Sequence, residues 1–250
     1  MSGRWTARGR SRRRAASEAE ARAARMAFFA EHARMVWLGH QQDDIAESML
    51  MRLARGSGVG GLAAPRPIQL LAGVGERVHL RPLLTLKKQE LVEALRVVGI
   101  LWREDSSNAG DLFFRNRVRR EVLPAWAAAA QRDALAGAAR SRSLLEEDEV
   151  ALEAWVEALD PLDERRGLVL STLAGKPRAV VRRALHRWML AQRQRVEVSS
   201  QAFEALLTAV EAGRPTRHSL GVDRFGVIKE GVLRLLSGGK VRSNFQRRAN

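Results

Sequence analysis

The chain has 250 residues, 46% of them hydrophobic and 28% charged, which is enough for one large domain or two modest ones with buried cores. No apolar run approaches the roughly 18 residues of a membrane-spanning helix, and the absence of cysteine excludes disulfides, thiolate nucleophiles and cysteine-bearing metal sites. The 43 Lys and Arg residues exceed the 28 Asp and Glu by +15, which favours a polyanionic partner such as nucleic acid.

The first half of the chain begins with a basic leader and then alternates between helix and strand. Residues 1–14 are polar and rich in arginine, which predicts a disordered leader, and they hold no signal peptide, so we expect a cytoplasmic location. A helix is predicted over 15–34, a short buried strand over 35–38 and an amphipathic helix over 42–54. The four glycines within 55–62 predict a loop.

The alternation continues up to the middle of the chain. A strand is predicted over 78–84, followed by a helix that Thr85 caps and Gly99 closes. Asp111 is expected to cap a further helix that runs through Arg120. Strands that alternate with helices are typical of an α/β domain.

The pattern changes at Pro124, after which most segments are helical and the last ones are strands. Helices are predicted over 125–159, 177–191 and 199–212, and short strands over 217–221, 224–229 and 232–236. Glu230-Gly231 predicts a tight hairpin between the last two strands. The expected organisation is therefore a leader over 1–14, an α/β domain over 15–123, an α+β domain over 124–240 and a basic tail over 241–250.

An acidic cluster opens the helix that follows the strand end Gly39-His40. Asp44 and Glu47 are i, i+3 neighbours, and Asp43 and Glu47 are i, i+4 neighbours. Acids in a first turn are favoured by the helix dipole, so one interpretation is that these residues only stabilise the N-terminus of the helix. The other is a ligand site, because α/β folds hold ligands at the carboxyl ends of strands, where paired carboxylates bind a magnesium ion or an ammonium group.

Two further segments have the chemistry of phosphate binding. Arg55-Gly56-Ser57-Gly58 offers backbone amides and a guanidinium, although it does not match the G-x-x-x-x-G-K-[ST] loop. In the second segment, Arg115 lies i, i+4 from Arg119 and Asn116 lies i, i+4 from Arg120, which gives a dense donor array or a solvated basic face. The histidines show no metal-ligand spacing around His40, so no side-chain metal cluster is predicted.

Together these segments resemble the tRNA(Ile)-lysidine synthetase family of PP-loop ATP pyrophosphatases. The likeness is carried by five blocks: Gly39-His40-x-x-Asp43-Asp44-x-x-Glu47-Ser48, Arg52-Leu53-x-Arg55-Gly56-Ser57-Gly58-x-x-Gly61-Leu62, Arg81-Pro82-Leu83-Leu84, Trp102-x-Glu104-Asp105-x-Ser107-Asn108 and Arg115-Asn116-Arg117-Val118-Arg119. Ala21-Arg22-x-x-Arg25 and Arg182-Arg183-Ala184-Leu185-x-x-Trp188 are also similar, and the likeness spans about 17–238.

The resemblance implies a truncated Rossmann-like PP-loop domain followed by a mostly helical substrate-binding domain. It implies a ligation in which ATP adenylates the C2 oxygen of the wobble cytidine of tRNA(Ile) and releases pyrophosphate. The ε-amine of free lysine then attacks C2 and expels AMP to give lysidine. ATP and Mg²⁺ are the implied cofactors, no membrane is involved, and a homodimer is compatible with the family.

Site roles follow from the resemblance position by position. Asp44 and Glu47 are expected to bind the lysine amine and organise its attack, with Mg²⁺ near Asp43 and Asp44. The residues expected at the ATP phosphates are Arg22, Gly39, His40, Arg55, Gly56 and Gly58. Those expected at the nucleotide and the tRNA are Asn108, Arg115, Asn116 and Arg119.

One element of the family is not found in this sequence. No Ser-Gly-Gly-x-Asp-Ser loop precedes Gly39, and the stretch before Ser17 resembles nothing in the family. We therefore expect a sheet with an unpaired apolar edge. The chain is interpreted as a fragment or split enzyme whose PP-loop is carried by an upstream piece; the alternatives are a noncatalytic tRNA-binding remnant and a generic basic nucleic-acid binder.

Overall fold

A computed structural model of the chain describes residues 18–71, 77–102, 114–192, 196, 198–221 and 223–237. They form two compact units that divide between Glu146 and Glu147, here called unit 1 and unit 2. The division falls inside a long helix, later in the chain than the predicted boundary at Pro124. None of the described helices is long and apolar enough to cross a membrane.

Unit 1 contains most of the helices predicted for the first half of the chain. They are α1 (Glu18–His32), α2 (Gln42–Leu53), α3 (Val59–Leu62), α4 (Lys88–Val97), α5 (Phe114–Arg117), α6 (Leu123–Ala130) and the first part of α7 (Ala134–Leu159). A π-helical turn, Val118–Val122, joins α5 to α6. The apolar side of α2 is buried through Ile45 and Ala46. The capping role expected of Asp111 lies outside the described residues.

Two details of these helices correct the sequence predictions. The loop predicted over 55–62 ends in the short helix α3, because Gly61 lies so close to Ser57 that a Cβ atom on it would be 2.9 Å from the Ser57 Cβ, and only glycine permits that turn. Helix α4 begins after Lys87 rather than Thr85, since the Glu90 carboxylate accepts a 2.6 Å hydrogen bond from the Lys87 N–H and caps the helix there.

The sheet of unit 1 has three strands in the order β1-β3-β2, namely β1 (Met35–Trp37), β2 (Ile68–Leu71) and β3 (Arg77–Leu80). β1 and β3 are parallel, whereas β2, which the sequence analysis did not predict, is antiparallel to β3. β3 ends earlier than the predicted strand over 78–84, because Pro82 lacks an N–H group for a ladder.

One face of this sheet is apolar and exposed. The register aligns Met35, Val78 and Leu70 in one row of side chains. Trp37, Leu80 and Ile68 form the next row. The Trp37 and Leu70 residues are 69% and 76% exposed. β1 has no second strand beside it within the described residues, so the expected unpaired apolar edge is present.

Unit 2 is an antiparallel sheet packed on two helices. The strands have the order β4-β7-β6-β5 and the helices lie between β4 and β5 in sequence: β4 (Leu168–Val169), α8 (Arg178–Ala191), α9 (Ser200–Glu211), β5 (Thr216–Ser219), β6 (Arg224–Lys229) and β7 (Val232–Ser237). The predicted helices and closing strands are present. Glu230 and Gly231 have φ angles of 52° and 74°, the left-handed pair that a two-residue hairpin turn requires.

Unit 2 also holds the larger core. Its fully buried side chains come from α8, α9 and the sheet, among them Leu185, Trp188, Leu206, Leu207 and Leu233. In unit 1 a small cluster brings together Ala46, Val118, Leu123 and Ala138. Most of the buried apolar surface of the described chain therefore belongs to unit 2.

Candidate functional site

The acidic pair predicted from the sequence lies buried at the start of α2. The side chain of Glu47 is 1% exposed and that of Asp44 is 13% exposed. Asp44 also caps its own helix, because its Oδ2 accepts a 2.9 Å hydrogen bond from the Gln41 N–H. The structure therefore contains both features that the sequence analysis weighed against each other, a helix-capping acid and a buried carboxylate pair.

Two arginines from the other predicted cluster hold these carboxylates. Arg115 Nε donates to Glu47 Oε2 at 2.6 Å, and the Nη2 group of Arg115 donates to Asp44 Oδ1. Arg119 Nε donates to Glu47 Oε1 at 2.6 Å and its Nη2 to Glu47 Oε2 at 3.1 Å. These hydrogen bonds raise the pKa of Arg119 above its ordinary value, chiefly through Glu47. Two groups placed in separate roles by the sequence are thus parts of one ion-pair network.

The local backbone explains how both arginines reach the same acid. Arg115 lies in the single turn of α5, and Arg119 lies in the π-helical turn that follows it. Val118, between them in sequence, is buried in the small core that also holds Ala46 of α2. Packing of Val118 therefore fixes this turn against α2, and π-turns within helices frequently mark functional sites.

His40 lies between the acidic pair and a second group of arginines. Its Nδ1 accepts a 3.2 Å hydrogen bond from Arg81 Nε. Burial lowers the pKa of His40, and nearby Arg81, Arg115 and Arg22 lower it further, while Asp44 opposes them. The imidazole is therefore neutral at pH 7 and has charged neighbours from both groups.

The second group is a set of arginines with few counter-charges. Arg81 is 7% exposed and donates to the Arg66 carbonyl at 2.8 Å and to Gln69 Oε1 at 2.9 Å, so the acceptors recorded for it in the described chain are all neutral. Burial and the nearby Arg22 and Arg52 lower the pKa of Arg81. Cations that depress one another's pKa values favour the binding of an anion between them.

The glycine-rich segment supplies the rest of this group. Burial, Arg22 and Arg55 lower the pKa of Arg52, and the guanidinium of Arg52 donates to the Gly61 carbonyl. Gly56 has a φ angle of +70°, a conformation that favours glycine. The four arginines Arg22, Arg52, Arg55 and Arg81 are called the arginine cluster below.

Other residues expected at the site have varied positions. Gly39 and Gly58 are exposed, and Gly58 precedes α3 in an extended conformation. Asn116 is buried at 9% exposure rather than displayed on a surface. Asn108 lies outside the described residues.

Asp43 and Asp44, the residues expected near Mg²⁺, do not fit a protein-held magnesium ion. Of the four carboxylate oxygens of Asp43 and Asp44, three accept N–H groups: Asp43 Oδ2 from Lys88 at 2.9 Å, Asp44 Oδ2 from Gln41 and Asp44 Oδ1 from Arg115. Within the described ranges, no three His, Asp or Glu side chains come together as a metal site would require. The donor set therefore suits an ammonium or guanidinium group better than Mg²⁺.

Sequence reasoning left Arg52 and Arg81 out of the candidate site, although both lie in the blocks that carry the resemblance. Their signal was their position: Arg52 precedes the glycine-rich segment on α2, and Arg81 follows β3, beside the end of β1. Side chains at the carboxyl ends of adjacent parallel strands lie at the same edge of the sheet. That rule would have placed Arg81 beside His40.

Comparison with known proteins identifies the family of the chain. The model of the PP-loop domain family matches residues 3–126, a span that includes most of the arginine-rich stretch in which we expected no likeness. Curated proteins named tRNA(Ile)-lysidine synthase are also similar: that of Geobacter sulfurreducens is 40% identical over 181 residues and that of Thermobifida fusca 36% identical over 181 residues. The protein of that name from Solibacter usitatus is 45% identical over 116 residues.

These alignments cover more of this chain than of its relatives. They include 68%, 70% and 44% of the chain but 37%, 54% and 25% of the Geobacter, Thermobifida and Solibacter proteins, respectively. The chain thus spans between about a quarter and about half of the length of these relatives. The family model covers about half of the chain, including the acidic pair, and the alignments to the Geobacter and Thermobifida proteins cover 68% and 70% of it. The chain therefore belongs to the tRNA(Ile)-lysidine synthase family of PP-loop proteins.

Proposed function

We propose that this chain takes part in the ATP-dependent ligation of lysine to C2 of the wobble cytidine of tRNA(Ile). The observation that carries the proposal is that an anion-binding group and a cation-binding group meet at His40. The arginine cluster lies on one side, and the Asp44–Glu47 pair lies on the other. A ligation that joins an amine to a nucleotide-activated base needs both groups next to each other.

The acidic pair is suited to an amine. The ε-amine of lysine is an ammonium ion at pH 7, and two carboxylates in a nearly dry position attract it strongly. In the structure the guanidinium groups of Arg115 and Arg119 occupy the carboxylate oxygens. The lysine ammonium would replace the contacts of Arg115, whose side chain joins Asp44 to Glu47, while Arg119 keeps Glu47 in place.

The arginine cluster is suited to ATP. In the first step the C2 oxygen of cytidine would bond to the α-phosphorus, and the bond to the departing pyrophosphate would break. In the second step the lysine nitrogen would bond to C2, the C2–O bond would break and AMP would leave, with the amine releasing its proton. Arginines stabilise the charge on both leaving groups, and Mg²⁺ would enter on the phosphate oxygens of ATP.

Two further partners complete the proposal. A Ser-Gly-Gly-x-Asp-Ser loop on another segment would supply the phosphate-binding amides that this chain lacks ahead of Gly39. The open edge of β1 is compatible with such an addition, and a homodimer is equally compatible with the family.

A noncatalytic tRNA-binding role is the second candidate. One observation favours it: the carboxylates expected to hold the amine are already neutralised by Arg115 and Arg119. In that case the ion pairs of Arg115 and Arg119 with the acidic pair would only stabilise unit 1, and the basic surface would bind tRNA without catalysing a reaction.

Lysidine formation separates the two roles. The chain is incubated with a tRNA(Ile) transcript, ATP and labelled lysine, alone and together with a polypeptide that carries the Ser-Gly-Gly-x-Asp-Ser loop of a relative. We expect product in the mixture, and its loss by at least a hundredfold in Asp44→Asn, with tRNA affinity changed less than twofold. Tight tRNA binding without product in either reaction would establish the noncatalytic role.

The matched control for Asp44→Asn is Asp133→Asn. Asp133 is an exposed acid of unit 1 that pairs with Lys87, and no ion pair is recorded between Lys87 and Asp44 or Glu47 in the described chain. We expect this variant to retain lysidine formation. If both variants lose activity to the same degree, the effect of Asp44→Asn comes from charge in general and the proposed amine site is wrong.

A further inference from the structure

The sheet of unit 2 has one face in the core and one face outside it. Gly226 of β6 faces the core, where a Cβ atom on it would lie 3.0 Å from Leu220 and 3.6 Å from Leu206 of α9. Since side chains alternate along a strand, Phe225 and Val227 project from the opposite face. Phe225 is half-buried there.

The strand register sets the composition of this outer face. Arg217, Val227 and Arg234 form one row across the strands. Ser219, Phe225 and Leu236 form the next row, and Leu236 is 50% exposed. None of these six residues is acidic. Asp163, from the segment before β4, pairs with Arg234 at the far side of the sheet, so the side formed by β5 and β6 keeps its positive charge.

Arg217 and Phe225 form a stacked pair on that side. The guanidinium carbon of Arg217 lies 3.7 Å from the centre of the Phe225 ring, well within cation–π distance. Arg217 is an exposed residue, and the Phe225 ring lies against only one face of its planar guanidinium. No carboxylate is recorded against it in the described part of unit 2, whereas Arg183 and Arg187 of α8 are paired with Glu149 and Glu153.

We propose that this outer face binds an unpaired nucleotide of RNA, whose base stacks on the side of the Arg217 guanidinium that faces away from Phe225. A guanidinium plane and an aromatic ring are the surfaces on which unstacked RNA bases are held. Leu236 and Val227 add apolar contact beside the stack, and the charge of Arg217 attracts the phosphate. The inference rests on the proposed function only for the choice of RNA, and it assigns one surface of unit 2 to the substrate-binding role that the resemblance implies for the second domain.

The test compares two RNAs and a charge-conserving variant. Binding of the full chain is measured with a labelled single-stranded RNA of about ten nucleotides and with a duplex of equal length. Arg217→Lys keeps the charge but removes the plane, so we expect affinity for the single strand to fall at least fivefold and affinity for the duplex to fall less than twofold. The salt dependence should stay unchanged, because no charge is lost.

Two further variants keep the test decisive. Phe225→Leu retains apolar volume without a ring and should weaken single-strand binding as Arg217→Lys does. Arg140→Ala removes an exposed cation of unit 1. It should lower the affinity for the single strand and for the duplex equally, by less than twofold. Equal loss on both RNAs, or no loss in Arg217→Lys when its melting curve matches the parent, would overturn the proposal. Because binding is measured without ATP or lysine, this result is independent of lysidine formation.

Discussion

The two sheets of this chain use their apolar residues differently. In unit 2 the inner face of the sheet packs on α8 and α9 and encloses a core that includes Trp188 and Leu233. In unit 1 the outer residues of two rows, Met35 and Leu70 in one and Trp37 and Ile68 in the other, are exposed, while Val78 and Leu80 between them are half-buried. A sheet with parallel strands is normally covered on both faces, whereas the described part of unit 1 leaves apolar surface on one face of its sheet.

The difference shows where each unit obtains its stability. Unit 2 is stabilised by burial of apolar side chains in one cluster. Unit 1 depends more on buried polar contacts, such as Arg142 with Glu146 at 2.6 Å and Arg115 with Glu47 at 2.6 Å. Its candidate site and its scaffold therefore share the same ion pairs, and a change in one affects the other.

The largest expected effect tests the core of unit 2. Trp188→Ala should lower the free energy of unfolding of unit 2 by about 4 kcal/mol, because a fully buried ring is replaced by a cavity. Trp126→Ala in unit 1 should cost less than about 2 kcal/mol, because Trp126 is only partly buried against its small cluster. Urea denaturation measures both, and equal costs would contradict the comparison.

A smaller effect tests the polar contacts of unit 1. Glu47→Ala removes a buried acceptor from two guanidinium groups and should cost about 2 kcal/mol, less than a fully buried ion pair because both arginines are partly exposed. Glu153→Ala, at a more exposed pair in unit 2, should cost less than about 1 kcal/mol. The reverse order in chemical denaturation would show that unit 1 does not rely on this network.

Acid titration tests the buried histidines of each unit separately. Burial lowers the pKa values of His40 and His79 in unit 1 and of His186 in unit 2. Each folded histidine binds fewer protons than the unfolded one, so stability is complete above the unfolded pKa of about 6.5 and decreases as the pH falls below it. His186→Gln should remove this loss from unit 2 alone. Melting temperatures between pH 7 and pH 5 measure it, and an unchanged profile for unit 2 would rule out His186 as the cause.

The smallest change in stability is expected on the exposed sheet face. Trp37→Lys should alter the free energy of unfolding by less than about 0.5 kcal/mol, because Trp37 is mostly in solvent, yet it should reduce self-association and binding of a hydrophobic dye. Leu190→Lys, at an exposed position of unit 2, is the control and should change neither. Light scattering compares the two, and identical behaviour would mean that the rows on unit 1 do not act as an apolar patch.

Local pattern was sufficient for most elements and for one half of the site. The strands and hairpin of unit 2 follow from alternation and from Glu230-Gly231, and the acidic opening of α2 is visible in the spacing of Asp44 and Glu47. β2 was missed because its four residues are too few to show a period, although Pro67 precedes them and Gly73 follows shortly after. The sequence likewise contains no indication that Arg115 and Arg119 face Glu47, since that contact joins segments far apart in the chain.

The sequence by itself determined the residue types, the alternation of helix and strand in unit 1 and the family, because these depend on short-range spacing and on motifs in order. Only the tertiary structure decided which charges meet. Coulombic and hydrogen-bonding contacts act over a few ångströms, so the folding of α5 and its π-turn against α2 brings Arg115 to Asp44, and the end of β3 brings Arg81 to His40. Among the described residues, the same three-dimensional arrangement leaves one face of a sheet apolar and largely exposed, which no linear pattern records.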